Sequence, residues 1–175
     1  MFCASLCDWS EDHQIAAATR PRLWNLIRAT PWLDWQLLSK RHEDIAANFL
    51  ADWGFGYHNV WLGVSIENND YVHRADALRQ IPATVRFISY EPALGPLDKL
   101  DLTGIDWLIQ GGESGPGYRP MDHQWARDIK ARCEAAGTAY FFKQSAAYKT
   151  EIGIELDGEI VRNYPTSRLA LPVLA

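Results

Sequence analysis

WLGVSIE at residues 61–67, VRFISYE at 85–91, IDWLIQGGE at 105–113 and AYFFKQ at 139–144 share one pattern, a short apolar run that ends in polar or charged groups. Strands buried along their length and polar only at their carboxyl ends are how α/β sheets and barrels assemble a site. The four runs therefore predict parallel strands whose ends converge on a pocket.

The segments between and around them supply helices. After 60–66, Asn68 or Asn69 can cap a helix with Val72, Ala75 and Leu78 on one face before Pro82. Asp122 caps a second, with Ala126, Ile129, Cys133 and Ala136 at spacings of three and four and Gly137 at its end. Residues 91–101, rich in Pro and Gly, predict no full helix. Upstream, 2–8 reads as a strand, and Pro21 as the first turn of a helix carrying Leu23, Leu26 and Ile27. A strand over 33–39 and a helix over 41–53, with Ile45, Phe49, Leu50 and Trp53 in helical period and Gly54 as its stop, follow. Downstream, 151–164, centred on Asp157 and Gly158, predicts a hairpin, and 169–175 is apolar enough to dock.

Five or six βα units in succession imply a mainly parallel sheet with right-handed crossovers, either an open doubly wound sheet or part of a barrel. A closed eight-fold barrel needs about 250 residues and at least about 200. With 175 residues and 47% hydrophobic content, the chain suits one α/β domain, a partial (β/α) barrel with a C-terminal hairpin.

Composition excludes several classes of function. Seventeen Lys and Arg against 22 Asp and Glu give a net charge of −5, which argues against broad adhesion to nucleic acid or anionic membrane. No stretch approaches the roughly 20 apolar residues of a membrane span, and residues 1–12 lack the basic start of a secretory signal. Three cysteines, Cys3, Cys7 and Cys133, cannot form a full disulfide framework, so a cytoplasmic protein with free thiols is expected.

If the strands are parallel, Ser5 and Asp8, Lys40, Ser65 and Glu67, Ser89 and Glu91, Glu113 and Ser114, and Lys143 and Gln144 share one rim. A Glu or Lys after a strand is as readily a solvated loop residue or half of a salt bridge. Glu91 stands apart, because Pro92 biases its backbone toward extended geometry and aims the carboxylate at the rim. Lys143, after the apolar 140–142, is its natural partner, since charge at the end of a buried strand needs a counter-charge or water. Catalysis by Glu91, Lys143 and Glu113 and a structural ion pair both fit. Gly111, Gly112, Gly115 and Gly117 allow close backbone approach, leaving amides to face an anion, a ribose or an adenine edge. This segment has neither the ending of a phosphate loop nor the spacing of a dinucleotide fingerprint. Most of the eight tryptophans fall in helix or strand patterns and read as core, and the five histidines show no metal-ligand spacing.

The strings NVWLGVSIEN (59–68), VRFISYEPALGP (85–96), IDWLIQGGESGPGYRPM (105–121) and AAGTAYFFKQ (135–144), with FCASLCDW (2–9) and LDWQLLSKR (33–41), resemble the phage- and prophage-borne gene-product thirty-seven/sixty-eight family. That family is a domain of unknown function similar to a radical S-adenosylmethionine (SAM) barrel. The resemblance implies that Gly111, Gly112 and Ser114 lie near the SAM adenosine, and Ser65 or Glu67 near its ribose or amino-acid end. Family members usually begin with a further strand whose loop carries three closely spaced cysteines that ligate an iron–sulfur cluster. The present chain aligns from the second strand onward, so the resemblance implies a carboxyl-terminal part without that loop. Cys3 and Cys7 do not replace it, because four extended residues span about 13 Å, too far for two sulfurs of one small cluster.

Three readings follow. The leading one is a truncated radical-SAM-like protein that shapes a pocket for SAM or a nucleotide, holds no iron–sulfur cluster and is not redox-competent alone. The second is a carboxylate-based hydrolase or lyase using Glu67, Glu91 and Glu113. The third is a non-catalytic binding protein whose open strand edges support self-association or pairing with a missing N-terminal segment.

Overall fold

Apolar residues on both faces of the central strands build a separate apolar cluster on each side of one open sheet. The computed structural model describes residues 1–3 and 8–166. Strands β1 (Phe2–Cys3), β2 (Trp35–Ser39), β3 (Val60–Ser65), β4 (Val85–Tyr90), β5 (Trp107–Gly111) and β6 (Ala139–Gln144) lie side by side in sequence order. Every neighbouring pair is parallel, and β6 does not return to β1, so the sheet is open. The expected α/β sheet of parallel strands is therefore present.

Helices α1 (Gln14–Ala29), α2 (His73–Arg79) and α3 (His123–Ala136) connect the strands. One sheet face, with Leu37, Leu62, Val64, Ile88, Leu108 and Phe142, shares a core with Trp24 and Ile27 of α1, Ala75 and Leu78 of α2, and Ile129 and Cys133 of α3. The other face carries a second cluster, Leu38, Trp61, Val85, Phe87, Trp107 and Ile109. Alternation with period two places these residues on opposite sides of the same strands. Burial leaves the Cys133 thiol fully packed and pushes its pKa up to about 12.

Helix α3 follows its sequence signals at both ends. Asp122 accepts a hydrogen bond from the Gln124 amide at 2.8 Å, and Gly137 ends the helix at φ 72°. Three expectations need correction. Helix α1 starts at Gln14, capped by His13, so Pro21 lies inside it rather than in its first turn. Residues 41–53 form turns and a single 3₁₀ turn, Ala46–Asn48, instead of a helix. There the Asn48 side-chain amide donates to the Asp44 carbonyl at 2.8 Å, the acceptor an α-helix would give to its backbone. The apolar residues that mimic a helical stripe instead stack around Trp24, with the Phe49 and Trp53 rings 4.0 Å apart.

The hairpin over 151–164 is reduced to one bridge, Leu156 with Glu159, around the positive-φ pair Asp157 and Gly158. Its second arm leaves the turn and lies antiparallel on the free edge of β6. Phe142 donates to the Val161 carbonyl at 2.8 Å, and Asn163 to that of Tyr140 at 3.0 Å. Residues 4–7, within the predicted first strand, and the apolar segment 169–175 lie outside the described residues. Among the described residues no helix is long and apolar enough to cross a membrane.

Candidate functional site

Parallel register stacks the inner-face residues in layers. Leu38, Gly63, Phe87, Trp107 and Ala139 are successive partners across the sheet, and Ser65, Ser89, Ile109 and Phe141 form the next layer toward the carboxyl ends. Beyond them come Glu67, Glu91 and Lys143. Of these, Leu38, Trp107, Ser65, Ser89, Ile109, Phe141, Glu91 and Lys143 line a cleft of about 1040 Å³, together with Gln36, Lys40 and Ser114, and with Arg162 and Tyr164 from the cover on β6.

Lys143 owes its placement to a slip in register. The β5–β6 ladder passes from Gln110–Phe142 to Gly111–Gln144, which leaves Lys143 without a ladder partner. Its ammonium pairs with Glu91 at 2.6 Å, with 41% and 25% of the two side chains exposed. Gly111 makes room for the pair, since a Cβ there would stand 3.1 Å from the Glu91 carboxyl carbon.

Glu67 is clamped from two sides, by Lys40 at 2.6 Å and Arg74 at 3.2 Å, with only 9% of its side chain exposed. Glu113 accepts from the Arg119 amide at 2.7 Å and from its guanidinium at 2.9 and 2.5 Å. Those hydrogen bonds to Arg119 hold the carboxyl well below the usual range, at about 2. It is a locked anion that closes the 113–119 loop. The Asp8 carboxylate accepts from Ser10, Ser39 and the Lys40 amide and thereby ties residues 8–10 to the end of β2.

Two hydroxyls differ from all of these. Ser65 and Ser89 are register partners, 2% and 3% exposed, and both line the cleft. Among the described residues neither hydroxyl has a hydrogen-bond partner.

Lys40, Ser65, Glu91, Glu113, Ser114, Lys143 and Asp8 thus line one cleft, with Glu67 joined to them through Lys40. Ser5 lies outside the described residues. Gln144 is corrected: alternation turns it away from Lys143 into the buried side, where it accepts from Thr150 and the Glu151 amide. Gly112 lines the cleft too, but the expected role of the glycine amides is corrected. The Gly112 and Gly115 amides donate to the Gln144 and Ala147 carbonyls at 2.9 and 3.0 Å, so they face backbone rather than a ligand. Gly112 is there because a Cβ would come within 2.1 Å of the Ala146 nitrogen.

Arg74 and Arg119, which neutralise Glu67 and Glu113, escaped the sequence reading, although each follows its glutamate by six or seven residues. Trp107, Phe141, Arg162 and Tyr164 were missed too. The first two carry a signal, the same odd-numbered alternation that places Ser89 and Lys143 on the inner face. Among the described residues no group of three or more His, Cys, Asp or Glu side chains is arranged to hold a metal ion.

No curated protein and no solved structure matches this chain. A family model described as a protein of unknown function does match, across residues 1–165, and the chain therefore belongs to the DUF5131 family.

Proposed function

We propose that this chain binds SAM, or a closely related nucleoside bearing an amino-acid group, at the mouth of a radical-SAM-like partial barrel of phage or prophage type. One observation carries the reading. Two partnerless serine hydroxyls, Ser65 and Ser89, sit on the cleft beneath two carboxylate–lysine pairs, Glu67–Lys40 and Glu91–Lys143. A zwitterionic amino-acid end needs an anion and a cation side by side, and a ribose needs hydroxyl or carboxylate partners. The mouth offers both, and the resemblance of its strings to the phage family points to SAM.

In this assignment Lys143 and Lys40 meet the ligand carboxylate, Glu91 its ammonium, and Ser65 and Ser89 its hydroxyls. Bound SAM supplies an activated sulfonium; the residues named here bind and orient it and keep the apolar floor dry. On the same reading this chain holds no iron–sulfur cluster, and the open edge of β1 pairs with a further strand in the cytoplasm.

The carboxylate-hydrolase reading ranks below it. Acid–base chemistry by two carboxyls needs one that holds its proton near neutrality. Glu113 is driven the other way by Arg119, and both carboxylate oxygens of Glu67 are already engaged, Oε1 by Lys40 and Oε2 by Arg74, so neither is free to face a substrate. Calorimetric titration with SAM, S-adenosylhomocysteine and methionine tests the proposal. Micromolar to submillimolar binding of the two nucleosides, lost in a Ser65→Ala/Ser89→Ala double variant and weakened in Lys143→Gln, is expected. Absence of binding at millimolar ligand, or indifference to these substitutions, overturns it. Iron–sulfur reconstitution followed by absorbance provides a separate check, and a stoichiometric cluster on this chain contradicts the cluster-free assignment.

A further inference from the structure

The deep end of the cleft is built differently from its mouth. Residues 161–163 lie antiparallel on β6, and Arg162 is the bridge partner of Phe141, whose side chain faces inward. Alternate residues of an extended segment share a face, so Arg162 and Tyr164 both turn into the cleft. The Arg162 guanidinium carbon lies 5.3 Å from the centre of the Phe141 ring. The Tyr164 ring packs 5.6 Å from Phe141 and 5.5 Å from Trp107, yet Tyr164 stays 63% exposed. Trp107 is itself fixed, its indole nitrogen donating to the Asn163 carbonyl at 2.9 Å.

Arg162 is set apart by its pairing. The other cations lining the cleft, Lys40 and Lys143, are each paired with a carboxylate. Among the described residues the Arg162 guanidinium has no carboxylate or carbonyl partner, only the Phe141 ring. An uncompensated cation beside a half-open aromatic shelf selects a flat ring that carries negative charge.

We infer that Arg162, Phe141, Trp107 and Tyr164 form a second subsite, for a nucleoside monophosphate whose base stacks on the aromatic shelf and whose phosphate meets Arg162. A cleft of about 1040 Å³ has room for this ligand and a second one at the mouth. A mononucleotide fits better than a strand, because the net charge is −5 and the remaining cleft cations are spent in ion pairs, so no row of free cations tracks a phosphate backbone. The inference stands apart from the SAM reading, because it rests on Arg162, Tyr164, Phe141 and Trp107, none of which that reading uses.

Calorimetry of the full chain with AMP, GMP, CMP and UMP, with and without saturating SAM, is the test. Binding of at least one mononucleotide, unaffected by SAM, is expected, with inorganic phosphate, adenosine and indole-3-carboxylate each at least about 10-fold weaker. Tyr164→Ala should weaken it about 10-fold and Tyr164→Phe less than about 2-fold, since the ring face does the stacking. Arg162→Gln should weaken the mononucleotide and leave adenosine unchanged. Circular dichroism and the melting temperature establish that the variants fold; should Tyr164→Ala not fold, Arg162→Gln, which leaves the apolar packing intact, decides. The assignment is overturned by no mononucleotide binding at millimolar concentration, by displacement with SAM, by indifference to Arg162→Gln, by equal binding of indole-3-carboxylate, or by tighter binding of a single-stranded hexanucleotide.

Discussion

Two single residues show how closely the cleft is fitted to its chain. Gly63 lies in the middle of β3, where a Cβ would stand 2.3 Å from the ring of Phe87 on the neighbouring strand. Phe87 is fully buried and its ring has nowhere cheap to go. Gly63→Ala should therefore destabilise the fold by about 1–3 kcal/mol, read from urea unfolding, and Phe87→Leu added to it should recover part of the loss. Glu113 offers a pH signature. Its folded-state pKa, about 2, lies below the ordinary 4.5, so its bonds to Arg119 contribute stability that is present above pH 4.5 and disappears as pH falls toward 2. The difference in stability between the native chain and Glu113→Gln should be constant from pH 5 to 7 and shrink to nothing near pH 2. A difference that does not change across that range would mean that Arg119 does not hold the carboxyl as described.

At the level of elements, legibility followed how local each determinant is. Strands β3 to β6 and helix α3 were readable because their signals lie within their own residues: apolar runs, the Asp122 cap and the terminal Gly137. Asp122→Ala should lower the melting temperature by the equivalent of about 1 kcal/mol, whereas Asp122→Ser should cost much less. Residues 41–53 were misread because one side chain, Asn48, competes for a helix acceptor, and because stacking with a distant Trp24 fills the same positions a helical stripe would. The antiparallel cover on β6 was invisible for a similar reason: its partner strand ends some fifteen residues earlier, and nothing in 159–164 encodes which edge it joins. Likewise the Glu91–Lys143 pair could be read from two strand ends, but the slip in register that frees Lys143 could not. Converting Asn48 to Ala removes its amide bonds to both the Asp44 and Ser10 carbonyls, so this loop, rather than any strand, should become the first site of limited proteolysis.

Across the whole molecule, the order of the strands dictates an uneven distribution of stability. Strands β3, β4 and β5 each have two hydrogen-bonded neighbours, and residues such as Val64, Ile88 and Leu108 are completely buried on the helical side. The two edges are unlike each other. β6 is shielded by the backbone bonds of Phe142 and Asn163 with its antiparallel cover, whereas β1 has two described residues and, among the described residues, a single neighbour, β2. A parallel ladder exposed on one side opens without disturbing the rest, so opening should begin at β1 and reach the centre only on global unfolding. Hydrogen–deuterium exchange should accordingly find the amides of Val64, Ile88 and Ile109 exchanging together at the rate of global unfolding, that of Asn163 faster, and that of Gln36, which donates to the Met1 carbonyl on the β1 side, faster still at low protein concentration. If the edge of β1 recruits a further strand, raising the concentration should slow exchange along β1 and β2 alone while β3 to β5 stay unchanged. Protection that rises evenly over all six strands would instead point to association through the helical face and against pairing at the sheet edge.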